Sequence, residues 1–403
     1  MELFWLEHKK LWRKKIVKIC VLLCFVYCVI FGSILSFQWF CFGSSDDYTS
    51  AFGNNFDGYT VIKDSQEYAL SFGGELTDET LQKIVSDYQQ MEADGMGEEL
   101  EKTDWQIVNS WLGTLYPELR DTSNYKTMIS YVDPDKLTGF YERRQQALDE
   151  FLEVSGQVGA EKEFLHQIER KVEKPFRYEW VEGWSTLLGS MVADLGVVMA
   201  LFLGIVLSSL FAGEWHDNTS TLVLTTRNGW GKIALAKILT GLAFTVELFA
   251  LLAVSNVISQ LFFMGTAGWD MPIQNIKLIA VAPMNMLQAE IYEYAFVLLG
   301  AIGFAGIVMF ISAAVKNNVL TLLLSLAVVY GPMMIAEYLP YEMQKALDLI
   351  PLVGSSTDIF RTNTFRILGK LIWSPYLLIT IPVLIGILCM PFAIKSWSRR
   401  MKA

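Results

Sequence analysis

Long uncharged runs follow one another along most of this chain, and one broad polar interval interrupts them. Residues 19–45 contain no Asp, Glu, Lys or Arg over 27 positions. A run of that length, with no small-residue cleavage pattern behind it, reads as a membrane span and not as a signal-peptide core. The first span is expected at 16–37. Further runs follow at 184–211, broken only by Asp194, and at 238–264, broken only by Glu247. The stretches 294–315, 317–335 and 372–394 complete a set of six. Each suits an α-helix rising about 1.5 Å per residue across roughly 30 Å of hydrocarbon.

The polar interval, 43–183, carries shorter periodicities. Tyr59–Ile62 and Tyr68–Phe72 alternate and can pair as a small β-hairpin. Thr77 can cap a helix whose apolar positions Leu81, Ile84, Val85 and Tyr88 repeat at helical spacing. Thr103 can cap another carrying Ile107, Trp111, Leu112 and Leu115. A third helix is expected from Leu137 to Val154, with Tyr141, Leu148, Phe151 and Leu152 on one face. A fourth begins near Glu161 with Phe164, Ile168 and Val172. The fold class is therefore an all-α polytopic membrane protein, with six transmembrane helices and a mostly helical extracellular domain between spans 1 and 2.

Composition supports a membrane protein. Hydrophobic residues make up 53% and charged residues 18% of the 403. That balance excludes a disordered chain, a nucleic-acid binder and a secreted disulfide scaffold. The net charge of −10 conceals an asymmetry: residues 43–183 hold 29 acidic and 13 basic residues, and the remainder holds 13 and 19. Basic residues then orient the spans. Lys9, Lys10, Arg13, Lys14, Lys15 and Lys18 precede the first, Arg227, Lys232 and Lys237 separate the second from the third, Lys316 separates the fourth from the fifth, and Lys395, Arg399, Arg400 and Lys402 end the chain. All fall on one side if both termini are cytoplasmic, which puts the acidic insert outside the cell. Its charge can attract cationic substrates, or simply keep the domain soluble. It has no cysteine, which suits a bacterial surface. Cys20, Cys24 and Cys28 share one face of the first span; buried packing is the commoner use of such a face, and no metal is assigned to it.

Enzyme signatures are missing. No Walker A, G-x-S-x-G or H-E-x-x-H motif occurs, and His8, His166 and His216 lie in separate segments without ligand spacing. The run Gly95–Thr103 lacks the glycine before lysine that a phosphate loop needs, and carboxylates surround it. No cofactor is assigned to this chain.

The segment after the second span, 212–237, carries the most information. Glu214, Asn218, Thr219, Leu222, Leu224, Arg227 and Lys237 occur there in an order that resembles the cytoplasmic loop of ABC type-2 transporter permeases, with Trp215 beside the glutamate. Thr225-Thr226 stands where many members carry a proline. The resemblance extends over the six-span plan outside 43–183. It implies a half-transporter that pairs with a second permease chain, as a homo- or heterodimer, and docks two copies of a cytoplasmic ABC ATPase holding ATP and Mg. The residues themselves suit a coupling loop: Leu and Trp offer an apolar knob, Asn218 and Thr219 can cap a short helix, and Glu214 can pair with a base nearby or on the ATPase. Arg227, Lys232 and Lys237 equally suit lipid headgroups.

Residues 1–18 form an amphipathic elbow helix at the inner surface, with Phe4, Trp5, Leu11, Trp12, Ile16 and Ile19 on one face and Glu7, Lys10, Lys14 and Lys18 largely opposite. Asp194 and Glu247 are candidates for a translocation path, since carboxylates inside a bilayer are costly unless they serve a purpose. Glu290 and Glu293, at the outer end of the fourth span, are expected to face solvent. Gly300, Gly303 and Gly306 give that span a close-packing face, and Pro332 should kink the fifth. By resemblance, residues 339–371 form short re-entrant helices. The expected function is the permease subunit of an ATP-driven exporter moving an amphiphile, such as an antimicrobial peptide or drug, outward across a bacterial plasma membrane. Sodium efflux and a membrane-anchored sensor or immunity protein are the alternatives.

Overall fold

A computed structural model describes residues 2–30, 58–96, 105–121, 126–188, 192–219, 231–354, 360 and 362–399. The chain opens with α1 (Glu2–Arg13) and α2 (Lys15–Val29), separated by an extended Lys14. α2 is the start of the first expected span, the rest of which lies outside the described residues. Cys20, Cys24 and Cys28 are buried in the membrane core, as a packing face requires.

The insert contains α3 (Gly58–Ser71), α4 (Asp78–Ala93), α5 (Trp105–Leu115), α6 (Phe140–Val154) and α7 (Ala160–Glu169). The expected hairpin is absent, because α3 occupies both of its strands. No Gly, Pro or Asn interrupts 59–72, and Ile62 and Ala69, seven residues apart, share one buried helical face. A two-residue antiparallel ladder forms instead between β1 (Gly74–Glu75) and β2 (Arg177–Tyr178). The Thr77 cap is present, its hydroxyl accepting from Thr80 N at 3.2 Å, and Leu81, Ile84, Val85 and Tyr88 are all buried. Thr103 lies outside the described residues. Asp78 caps α6 from across the domain, accepting from Gly139 N and Phe140 N at 2.8 Å each.

The face that α6 buries is Phe140, Arg144, Leu148 and Leu152. Arg144 is fully enclosed: it donates to Glu169 Oε1 at 2.6 Å, to Leu278 O at 2.8 Å and to Ala280 O at 3.3 Å. Leu278 and Ala280 belong to the loop after the third span, so the insert is welded to the membrane half. Trp111 Nε1 donates to Asn275 O at 2.9 Å, while Gln66 Nε2 and Trp180 Nε1 both donate to Met264 O. One apolar cluster joins Leu148, Leu152 and Leu165 of the insert to Met271, Ile273, Ala289 and Trp373.

After the short α8 (Glu182–Thr186), the membrane half comprises α9 (Val192–His216), α10 (Gly231–Met264), α11 (Met286–Ala314), α12 (Asn318–Ile335), α13 (Tyr341–Leu347), the hairpin β3 (Thr364–Ile367)–β4 (Lys370–Trp373) and α14 (Ser374–Arg399). Among the described residues, five helices, α9 to α12 and α14, are long and apolar enough to cross a membrane. The chain is a helical multi-pass membrane protein. Among the described residues, the segment 339–371 holds one helix, α13, and the strand β3 in place of the expected helical pair, and β4 follows a tight turn with Leu368 and Gly369 both at positive φ. That turn matches the twist of a two-residue hairpin, which a helix would forbid.

Close packing of α11 against α14 confirms the glycine face. A Cβ added to Gly303 would fall 2.3 Å from Pro382 O, and one on Gly306 would fall 2.5 Å from Gly386 O. Gly300 accommodates the side chain of Leu352. Pro332 lies inside α12 as expected.

Two predictions follow from this packing. Gly306→Val forces α14 away from α11, so the detergent-solubilised protein should lose about 2–3 kcal/mol or fail to fold, read as a lowered melting temperature. Burial works against the charge on Glu169, but hydrogen bonds from Lys174 and Arg144 outweigh it and hold the carboxyl below its ordinary range. A lowered folded value contributes stability above the unfolded carboxylate pKa, about 4.3, that is lost as pH falls through the folded one. Arg144→Met should cost about 3 kcal/mol at neutral pH and flatten the loss of stability on acidification below about pH 4.

Candidate functional site

One end of the helix bundle brings together residues from three parts of the sequence. Glu214, in the last turn of α9, is 3% exposed and accepts from Lys10 Nζ at 2.6 Å and Lys237 Nζ at 2.8 Å. Lys237, in the second turn of α10, is 2% exposed and also donates to Glu7 Oε2 at 2.8 Å. The result is a chain of alternating charge, Lys10–Glu214–Lys237–Glu7, that ties α1 to α9 and α10. Lys14 Nζ adds a bond to Ser209 Oγ at 2.9 Å.

The cationic groups of α1 respond to this setting. Burial opposes charge on Lys10, yet Glu214, Glu7 and Asp217 together hold its ammonium above the ordinary lysine value. Lys14 goes the other way, pushed down by burial and then by Lys237 and Lys10. The polar side of α1 therefore packs against the protein, while Trp5 and Leu6 are more than 60% exposed on its outer side. That exposed pair suits a membrane surface.

The end of α9 is a Schellman motif. Asn218 has a left-handed φ of 55°, its N–H donates to Trp215 O at 3.2 Å, and Thr219 N donates to Glu214 O at 3.0 Å. Thr219 Oγ1 also donates to the Glu214 carboxylate. Asn218 and Thr219 thus close the second span, where a cap opening a new short helix was expected; with its short polar side chain, asparagine tolerates the left-handed position. Trp215 stacks edge-on to Trp397 of α14 at 6.2 Å, and Lys316 Nζ sits 4.4 Å from the Trp215 ring centre. Deeper in, Ser312 of α11 accepts from Phe211 N and Ala212 N and donates to Ser208 O, stitching α9 to α11.

Of the other expected site residues, Leu222, Leu224 and Arg227 lie outside the described residues. The buried Glu214–Lys237 pair clasps the two ends of the segment that contains them. Glu214 is enclosed and fully engaged within the chain, so it anchors that segment and presents nothing to another protein. Glu247 is also engaged: Trp12 Nε1 donates to it at 3.0 Å and His8 Nε2 lies 3.2 Å away. Its side chain is 43% exposed and faces α1. A 1080 Å³ groove, lined mainly by apolar residues that include Phe4, Leu235, Leu239 and Val246, opens beside it. Asp194 lies within α9, close to where its described residues begin; its side chain lies outside the described residues.

Glu290 and Glu293 contradict the expectation that they face solvent: they are 3% and 0% exposed. Glu290 meets the Tyr294 hydroxyl, which in turn accepts from Asn256 of α10, a helix more than 30 residues earlier in the sequence. Sequence reading also missed Glu7 and Lys10 as partners of the loop, for the same reason. Comparison with known proteins adds no relative: no protein family, curated protein or solved structure matches this chain.

Removing one member of a buried ion pair leaves the other uncompensated. Glu214→Gln, which strands two lysines, should cost about 3–5 kcal/mol. Lys237→Met should cost less, because Glu214 keeps Lys10, and Lys10→Met least, because Lys10 is half exposed. Thermal melts of the three variants should rank in that order.

Proposed function

We propose that this chain is the membrane subunit of an ATP-driven exporter of the ABC type-2 class. One observation carries the reading: the segment 212–237, which bears the resemblance to that family's cytoplasmic loop, has its two ends tied by the Glu214–Lys237 pair, and α1 is locked to the same pair. A push on such a segment cannot be absorbed locally. It moves α9, α10 and α1 together, which is what coupling to a separate ATPase demands.

In this reading both termini are cytoplasmic, α2 begins a sixth span, and the insert lies outside a bacterial plasma membrane. Two ATPase copies bind ATP and Mg and close on each other, and the loops of two permease chains carry the movement into the spans. Leu222, Leu224 and Arg227 are the groups that meet the ATPase. The apolar groove beside Glu247 suits an amphiphilic cargo with a cationic group, drawn from the inner leaflet. A second reading, an extracellular ligand sensor, is favoured by a 380 Å³ cleft where Lys171 and Arg177 of the insert face Asp270 and Gln288 of the membrane half.

The test is purification of the chain, tagged at its C-terminus, from its native membrane with mild extraction. A Walker-type ATPase at one copy per permease should accompany it. Arg227→Glu with Leu222→Asp should abolish the association and leave the melting temperature within about 2 °C, since a 1 kcal/mol change moves a protein of this size by that much. Absence of any ATPase, under conditions that retain one on other transporters of the same membrane, would overturn the proposal and favour the sensor.

A further inference from the structure

One more group of buried polar side chains lies between the outer thirds of α10 and α11, away from the inner clasp. Asn256 and Gln260 are one turn apart on α10, and Glu290 and Tyr294 are one turn apart on α11. The helices hold them together: Asn256 Nδ2 donates to the Tyr294 hydroxyl at 3.2 Å, and that hydroxyl interacts with the Glu290 carboxylate. Gln260 is 0% exposed, Asn256 2% and Glu290 3%.

These groups are short of donors. Asn256 Oδ1 and Gln260 Oε1 lie buried without a hydrogen-bond donor, Gln260 Nε2 is without an acceptor, and the buried Glu290 carboxylate meets the neutral Tyr294 hydroxyl, which brings it no counter-charge. No Lys, Arg or His occurs at 238–264 or 286–314, so neither helix supplies a counter-charge. Glu293, nearby on α11, has an interaction of its own and is not needed for the argument. An apolar setting penalises every unmet polar atom, and an uncompensated carboxylate most of all. A proton on Glu290 would neutralise the charge but leave the two carboxamide oxygens unmet. A hard cation takes oxygen ligands from all of them at once. One uncompensated carboxylate among neutral oxygens sets its charge at +1.

We propose that Glu290, Asn256, Gln260 and the Tyr294 hydroxyl form a binding site for a hard monovalent cation, an alkali-metal ion, in the outer half of the membrane domain. The site binds whether or not the chain works with an ATPase, so it stands apart from the exporter reading. Its occupancy bridges α10 to α11 directly beneath the loop on which the insert docks.

The test uses the full chain in lipid nanodiscs, melted at constant ionic strength in NaCl, KCl, CaCl₂ or choline chloride. Binding to the folded state raises the melting temperature with ligand concentration. The expected result is a saturable rise in NaCl or KCl over choline, with radioactive sodium or its potassium analogue rubidium retained on the protein. Glu290→Gln should abolish both, Gln260→Leu should weaken binding at least tenfold, and Glu342→Gln, at an exposed carboxylate, should change neither. Gln260→Leu keeps the test decisive if the glutamate variant does not fold. Equal melting in all four salts with no retained ion would overturn the proposal, as would a response to CaCl₂ alone. Unchanged cation dependence in both Glu290→Gln and Gln260→Leu would also overturn it.

Discussion

Two charged side chains sealed among three helices, Glu214 and Lys237, with Glu7 and the half-exposed Lys10 at their edge, set the terms for one end of the helix bundle. Desolvating Lys10, Glu214, Lys237 and Glu7 costs several kcal/mol per fully buried ion, and the cost is recovered only where geometry is close and remaining donors are met. Both conditions hold here: three contacts run at 2.6–2.8 Å, and Thr219 fills a further site on Glu214. Such a network contributes little as an isolated source of stability. Its effect is on specificity: this placement of α1 brings Lys10 to Glu214 of α9 and Glu7 to Lys237 of α10. The Schellman turn, the Trp215–Trp397 contact and the Ser312 stitch then follow from where Glu214 has been fixed.

Features set by a single helix were legible in the sequence. The apolar runs, the Thr77 cap with its Leu81, Ile84, Val85 and Tyr88 stripe, and the glycine face of α11 each depend on periodicity within one element, and periodicity is visible in the chain. Features set by pairing were not. Arg144 lies on the buried stripe of α6 at the spacing of Phe140 and Leu148, yet its charge marks it as a surface residue until the Leu278 and Ala280 carbonyls and Glu169 are placed around it. Glu290 and Glu293 read as solvent-facing because their distance from the helix end is visible and what packs around them is not. The expected hairpin failed on a local ground: alternation over four or five residues does not distinguish a strand from one face of a helix when no Gly, Pro or Asn separates the runs.

Within the candidate loop, the residue types were legible and their orientation was not. Glu214 and Lys237 were visible as charges flanking the segment. That they face each other, and that the positive N-terminal helix supplies the other half of the charge balance, requires α1 to fold back over more than 200 residues of chain. Glu7 and Lys10 of α1 have partners inward beside the buried Leu11, which leaves Trp5 and Leu6 on the exposed side.

The remaining step concerns how the two ends of the molecule relate. α10 has 34 residues, about 51 Å of helix at 1.5 Å per residue. Near its N-terminal end Lys237 is locked to α9 and α1; at its C-terminal end the Met264 carbonyl receives Gln66 and Trp180 from the insert. Between these points it packs on α11, where Gly241 meets Met309 so closely that an added Cβ would fall 2.6 Å from the sulfur. The helix contains no proline, so it lacks the commonest cause of a sharp kink. Displacement imposed on the inner clasp must therefore reach the insert or break one of its two hydrogen bonds to Met264. The insert is in this sense a load on the same lever as the loop, and its shared core with 265–285 makes it a working part of the membrane half and not an appendage.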